Sequence, residues 1–220
     1  METIKKSTLD FLTALKCNND RDWFTGNRQV YLNAKDNFES FAREIINEIA
    51  LFDPLMKGLE VKDCVFRINR DIRFSNDKSP YKTNFGAFIV RGGKKNGDKF
   101  AGYYFHIEPG KSFIAGGAYT PPAPWLSAIR EKISDNPDEF IMILNAKDFT
   151  KYFGKLEGDK LKTAPKGYSS NHPQIELLKF KSFLVVNEAS DKIVLSNDYS
   201  DHVLKVFRAM KPLNDYMNEY

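Results

Sequence analysis

The chain has 220 residues, 42% of them hydrophobic and 28% charged, which suits one globular domain over residues 1–220 and argues against disorder. Its net charge is only +4, from 33 Lys and Arg against 29 Asp and Glu, and Cys17 and Cys64 have no paired spacing, so a disulfide framework, zinc ribbon or thioredoxin-type site is not expected. No stretch approaches the roughly 20 apolar residues of a membrane span, and residues 1–20 lack a long apolar signal core, so a cytoplasmic protein without membrane contact is expected.

The first third reads as helical. Leu9, Phe11, Leu12 and Leu15 fit one apolar stripe, and Asp20 caps a second helix beginning near Trp23. Phe38, Phe41, Ile45, Ile49 and Phe52 recur at three-to-four spacing until Asp53-Pro54 stops the pattern.

The period changes after Val61. From Cys64 to Phe74 the even positions are apolar except Arg70, and the odd ones include Arg67, Asn69, Asp71 and Arg73, which predicts a strand, bulged or ending near Arg70. Ser75–Pro80 reads as a turn-rich loop. Strands are predicted over Asn84–Arg91, Phe100–Glu108 and Lys111–Tyr119, joined by the turn residues Gly92-Gly93, Asn96-Gly97 and Pro109-Gly110. Such short connections favour an antiparallel meander over a parallel, doubly wound sheet.

Helices return after Pro122 (Trp125, Leu126, Ile129, Ile133) and after Pro137 (Phe140, Ile141, Leu144). Leu161–Pro173 is an irregular basic loop, Ser182–Val186 and Lys192–Leu195 could add strands, and a last helix runs from about Asp198 to Met217. The expected fold is α+β: an antiparallel β-meander of about four to six strands flanked by N-terminal and C-terminal helices.

Charge is unevenly spread. Residues 61–100 hold ten Lys/Arg against four Asp, a surplus of six that leaves the other 180 residues at −2. A local basic concentration favours an anionic partner, although a merely solvated basic rim explains the count equally well. Arginine offers a rigid fork to phosphate or carboxylate, so Arg67, Arg70 and Arg73 are candidate ligands. The neighbouring loop adds Lys78, Tyr81 and Lys82, and the second basic loop adds Lys166, followed by His172.

On the third strand Tyr104, His106 and Glu108 project to one side. A meander with one wetter face would gather them with Arg67, Asp71 and Arg73. His106 is then a candidate acid or base, with Asp71 or Glu108 as its partner. Gly116-Gly117 on the fourth strand would let a backbone or ligand come close. His106-x-Glu108 also resembles a metal pair, but three histidines without an HExxH or a cysteine cluster do not make a metal site. The loop 75–82 lacks the glycines of a nucleotide-binding P-loop, and no dinucleotide glycine signature or GxSxG is present, so no cofactor is expected.

The run from Phe66 to Asn84, FRINRDIRFSNDKSPYKTN, resembles the signature of the domain of unknown function 2461 family. Supporting matches are Asn18-Asn19-Asp20-Arg21-Asp22-Trp23-Phe24 with Asn27-Arg28 and Tyr31, then Gly116-Gly117, Leu126, Arg130, Pro165-Lys166-Gly167-Tyr168 and His172-Pro173. The resemblance spans nearly the whole chain and implies a widespread intracellular protein. It implies no established activity or catalytic residue. Three readings follow: binding of an anionic small molecule, with an enzyme as one version; a nucleic-acid-binding module, suited by the interleaved aromatics; or an interaction protein whose Arg67, Arg70, Arg73, Asp71 and Asp77 form an ion network.

Overall fold

The computed structural model describes residues 2–73 and 76–219. Phe74 and Ser75, the end of the predicted strand and the start of its loop, lie outside the described residues.

Helix α1 (Lys6–Cys17) buries Leu9, Phe11, Leu12 and Leu15, the predicted stripe. Its start is latched by Asn37, whose Oδ1 accepts from Lys5 N at 2.9 Å and Thr8 Oγ1 at 2.7 Å, while its Nδ2 donates to Thr3 O at 2.8 Å. Helix α2 (Arg21–Gly26) is capped by Asp20, whose Oδ1 accepts from Trp23 N at 2.8 Å. Helix α3 (Arg28–Phe52) is the long one, and it ends where Asp53-Pro54 cannot continue it. Helix α4 (Val61–Cys64) is a single turn.

Four strands follow: β1 (Phe85–Ile89), β2 (Gly102–Ile107), β3 (Ser112–Ala118) and, after four helices, β4 (Phe183–Ala189). They pair antiparallel in chain order, with Phe85 opposite Ile107, Phe105 opposite Ile114 and Ala115 opposite Val186. The helices between β3 and β4 are α5 (Ala123–Asp135), α6 (Pro137–Asn145), α7 (Lys147–Tyr152) and α8 (Ile175–Leu178). Helix α9 (Asp191–Val194) and the long α10 (Tyr199–Asn218) close the chain. The meander and the flanking helices are as the sequence predicts.

One face of the sheet is the core. Phe85, Ala87, Tyr103, Phe105, Ile107 and Ile114 are buried under α3 and α10. Ring contacts carry the packing: Phe38 lies 5.2 Å from Phe85 and 5.4 Å from Phe105, and Tyr103 lies 5.0 Å from Phe207. Each such buried ring contributes about 1.5–3 kcal/mol of transfer free energy. The Tyr103 hydroxyl, carried inward with its ring, donates to Asp53 Oδ2 at 2.8 Å. The opposite face carries Phe88, Tyr104, His106, Phe113 and Ala115, all half-buried.

Two expectations need correction. Over its described residues, 64–73, the predicted strand is not one: after α4 the chain makes only two isolated bridges among the described residues, Val65 with Ala87 and Asn69 with Tyr81. Phe66 N reaches Gly86 O, but beyond it the chain turns to the returning segment, with Arg70 N on Pro80 O and Lys82 N on Ile68 O. Pro80 has no N–H to give back, so the ladder cannot extend. Residues 192–195 fall in the one-turn helix α9 and the residue after it, because Ser190 caps Ile193 N and starts a helix. Gly116 and Gly117 do admit a close backbone, as expected, and the alternative of a ligand is closed because the protein itself fills the space. Met210 of α10 sits on Gly116, and the Phe183 backbone crosses Gly117 at φ +108°, leaving no room for a ligand there.

Candidate functional site

Residues 65–73 and 76–84 form an arm along the β1 edge. Its outer end is held by Asn19, which donates from Nδ2 to Tyr81 O at 3.0 Å and accepts from Tyr81 N at 3.1 Å, as a neighbouring strand would. Tyr81 is thereby buried, with its ring stacked 3.9 Å from that of Phe24.

Between the arm and α3 lies an open cleft of about 580 Å³. Its floor is apolar: Phe38 and Phe85 from the core, and Val65, Phe66 and Ile68 from the arm. Its rim is cationic, with Lys35, Lys62, Arg67, Lys82 and Lys94 against Glu39 and Asp71. Several of these charges are already engaged. Lys35 pairs with Glu39 at 3.3 Å, Lys62 with Glu60 at 2.7 Å, and Lys94 donates to Lys62 O. The Arg67 guanidinium makes no hydrogen bond or ion pair among the described residues. Among the described residues Lys82 Nζ donates only to a carbonyl, Arg67 O at 3.1 Å, and it lies 5.3 Å from the centre of the Phe66 ring. Burial pushes the Lys82 ammonium down from its ordinary value, and the nearby charges of Arg67 and Arg70 push it the same way. Two cations that make no ion pair among the described residues thus share this cleft.

The other arginines are placed differently. Arg70 turns inward, as its even position in the pattern suggests, and its Nη2 reaches Asp77 Oδ2 at 3.2 Å and Tyr81 O at 3.4 Å. It ties the two limbs of the arm together, with its Nε buried and without a hydrogen-bond partner. Arg73 grips Asp71 in a bidentate pair, Nε to Oδ1 at 3.0 Å and Nη2 to Oδ2 at 2.7 Å. Hydrogen bonds from Arg73 hold the Asp71 carboxyl at about 2. Lys78 Nζ donates to Ile72 O at 2.9 Å. Lys166 is exposed in a loop anchored to α5, where Ser134 Oγ meets His172 Nε2 at 3.1 Å, and it does not line the cleft.

Tyr104, His106 and Glu108 do come together, on the sheet face away from the core. Glu108 Oε2 lies 3.2 Å from His106 Nε2, and Tyr104 Oη lies 2.9 Å from Nδ1, with Asn84 Nδ2 at 3.3 Å. Since Asn84 and Tyr104 both present donors, Nδ1 is the acceptor and Nε2 carries the hydrogen toward Glu108. Thr83 Oγ1 holds the other carboxylate oxygen at 3.0 Å, and the Phe113 ring stacks on the imidazole at 4.6 Å. Burial pushes His106 down, with Glu108 pulling it partly back, and burial lifts the Tyr104 hydroxyl to about 12. This is a carboxylate–imidazole–hydroxyl chain, able to hold a proton at His106. The partner of His106 is Glu108, whereas Asp71 is committed to Arg73. Strand alternation sets His106 on the face opposite Phe85, so none of the three lines the cleft. The single wet surface expected from the sequence is therefore two places, linked through the contact of Phe66 with Tyr104 at 6.3 Å.

Sequence reasoning missed the α3 side of the cleft. Lys35 and Glu39 stand one turn apart on α3, a spacing that was legible but silent about what it faces. Lys62 and Lys94 belong to the basic window but not to its central motif. Among the described residues no three His, Cys, Asp or Glu side chains gather as metal ligands would.

Residues 7–216 match the model of a family described as conserved hypothetical protein, DUF2461. No curated protein and no solved structure matches the chain.

Proposed function

We propose that this chain, which belongs to the DUF2461 family, binds a small anion bearing phosphate or carboxylate in the cleft between α3 and the arm. One observation carries the reading: Arg67 and Lys82 both line the cleft, and among the described residues no acidic side chain is hydrogen-bonded or ion-paired to either, Asp71 being near enough to feel the charge of Arg67 but bonded to Arg73. Two cations held together at the expense of mutual repulsion favour binding of an anion, which would relieve it. Arg67 supplies a fork and Lys82 a point charge. Arg70 and Arg73 serve the arm instead, through Asp77 and Asp71, so the network reading fits them and not the other two.

An acid–base role for His106 in this cleft is not part of the proposal, because His106 faces the other side of the sheet. The test is a titration of the protein with inorganic phosphate, followed by amide chemical shifts. Saturable shifts confined to residues 65–69 and 82–85 are expected, and they should vanish in Arg67→Gln/Lys82→Gln while the melting midpoint is retained. Shifts that persist in the double variant, or that never saturate, reject the reading.

A further inference from the structure

We propose that the anion taken by this cleft carries an apolar, ring-sized body, so that the preferred ligand is an aryl phosphate or aryl carboxylate rather than a bare oxyanion. The inference rests on the anion reading above and adds to it what lies beneath the two cations. A site built for an inorganic ion surrounds it with donors, commonly backbone N–H groups at a glycine-rich turn. This cleft is lined otherwise: beside Arg67 and Lys82 stand Phe38, Phe85, Phe66, Ile68 and Val65, and its uncharged polar side chains are only Tyr31 and Asn69 among the described residues. Its volume, about 580 Å³, far exceeds that of a phosphate and falls within the range of small-molecule sites.

The position of Lys82 sets the orientation. Its ammonium sits over the Phe66 ring, at 5.3 Å from the centroid, and is held there by Arg67 O. The charged head of a ligand therefore meets Lys82 and Arg67 at the mouth, and its body extends inward along the Phe66 edge toward Phe38 and Phe85. Phe38 and Phe85 are themselves buried, so the surface offered to the body is that of Phe66 and the half-buried Val65, where water gains nothing from hydrogen bonding and its replacement by an apolar body is favourable. The Phe66 ring is well placed to close one side of the body, since it is 37% exposed and braced from behind by Tyr104.

The experiment compares phenyl phosphate with inorganic phosphate on the intact protein, by the same chemical-shift titration. Phenyl phosphate is expected to bind about tenfold tighter or more, from the area its ring buries. The advantage should shrink to less than about threefold in Phe66→Ala, whose exposed position leaves the fold intact. Both ligands should be lost in Arg67→Gln/Lys82→Gln. Equal affinity for the two ligands, with binding still lost in the double variant, overturns the apolar body and leaves the anion reading standing. Binding of neither ligand overturns both. A phenyl advantage that is unchanged in Phe66→Ala places the ring elsewhere and overturns the orientation along Phe66.

Discussion

Arg70 breaks the apolar parity of its segment, and its surroundings explain why. The side chain is 27% exposed and reaches across the arm to Asp77, which is 54% exposed, and to the Tyr81 carbonyl. A fully buried ion pair loses several kcal/mol when one partner is removed, whereas exposed pairs contribute little. Arg70 stands between these limits, so Arg70→Ala should cost about 1–2 kcal/mol by urea unfolding, with much of the loss coming from the carbonyl bond. A loss above about 4 kcal/mol would return the arginine cluster to the status of a buried network. The same residue shows the limit of pattern reading. Parity tells that a side chain turns inward but not whether it meets a ligand, a carboxylate or a carbonyl.

The arm as an element depends on a residue far from it in sequence. Asn19 supplies both a donor and an acceptor to Tyr81, and no other strand covers that edge of the arm among the described residues. Asn19→Ala should therefore raise amide exchange at Arg70 and Lys82 while leaving β2 and β3 protected. Removing the two bonds should cost about 1–3 kcal/mol locally. Uniform loss of protection across the sheet would show that the arm does not open on its own. The meander was legible because each hairpin announces itself with Gly, Asn or Pro at the turn, and the long helices because their apolar residues repeat over several turns. The 64–74 segment was misread for a physical reason. Alternation reports which side chains are wet, and an extended chain beside a sheet alternates almost as a true strand does. Only the hydrogen-bond partners separate the two, and here, beyond the contacts of Val65 and Phe66 with β1, they belong to residues 80–82. The cleft was half legible. Arg67 and Lys82 stood out within the central motif, whereas Lys35 and Glu39 come from a helix more than twenty residues upstream, which no local pattern connects to the arm.

At the scale of the molecule, His106 and His202 are both held below the ordinary histidine value of 6.5, chiefly by burial. Each therefore takes up its proton more readily in the unfolded chain, so stability is complete above about pH 6.5 and declines as the pH falls below it. The Asp71 carboxyl, held at about 2, acts in the same direction but only in strong acid. Melting midpoints measured from pH 8 to pH 5 should fall at the acid end, and His106→Gln/His202→Gln should flatten that slope. A midpoint that rises toward pH 5, or a slope the double variant leaves unchanged, would contradict the placement of these imidazoles. One buried apolar cluster runs from Ile4 to Met217, so unfolding should follow a single transition by circular dichroism and by tryptophan fluorescence, from Trp23 and Trp125. Two separated transitions would divide the chain.

The place of β4 has a consequence for the order of events in folding. β1, β2 and β3 are joined by short connections, whereas β4 pairs with β3 only after residues 119–182 have been traversed. Closing so long a loop costs chain entropy that the local hairpins avoid, so the three-stranded sheet should be native-like in the rate-limiting state and β4 should add afterwards. Val185→Ala should then speed unfolding and leave the folding rate nearly unchanged, while Phe105→Leu should slow folding. The arm and its cleft border β1, at the sheet edge farthest from β4. The β1 wall of the cleft would accordingly belong to the part of the chain that finds its shape first.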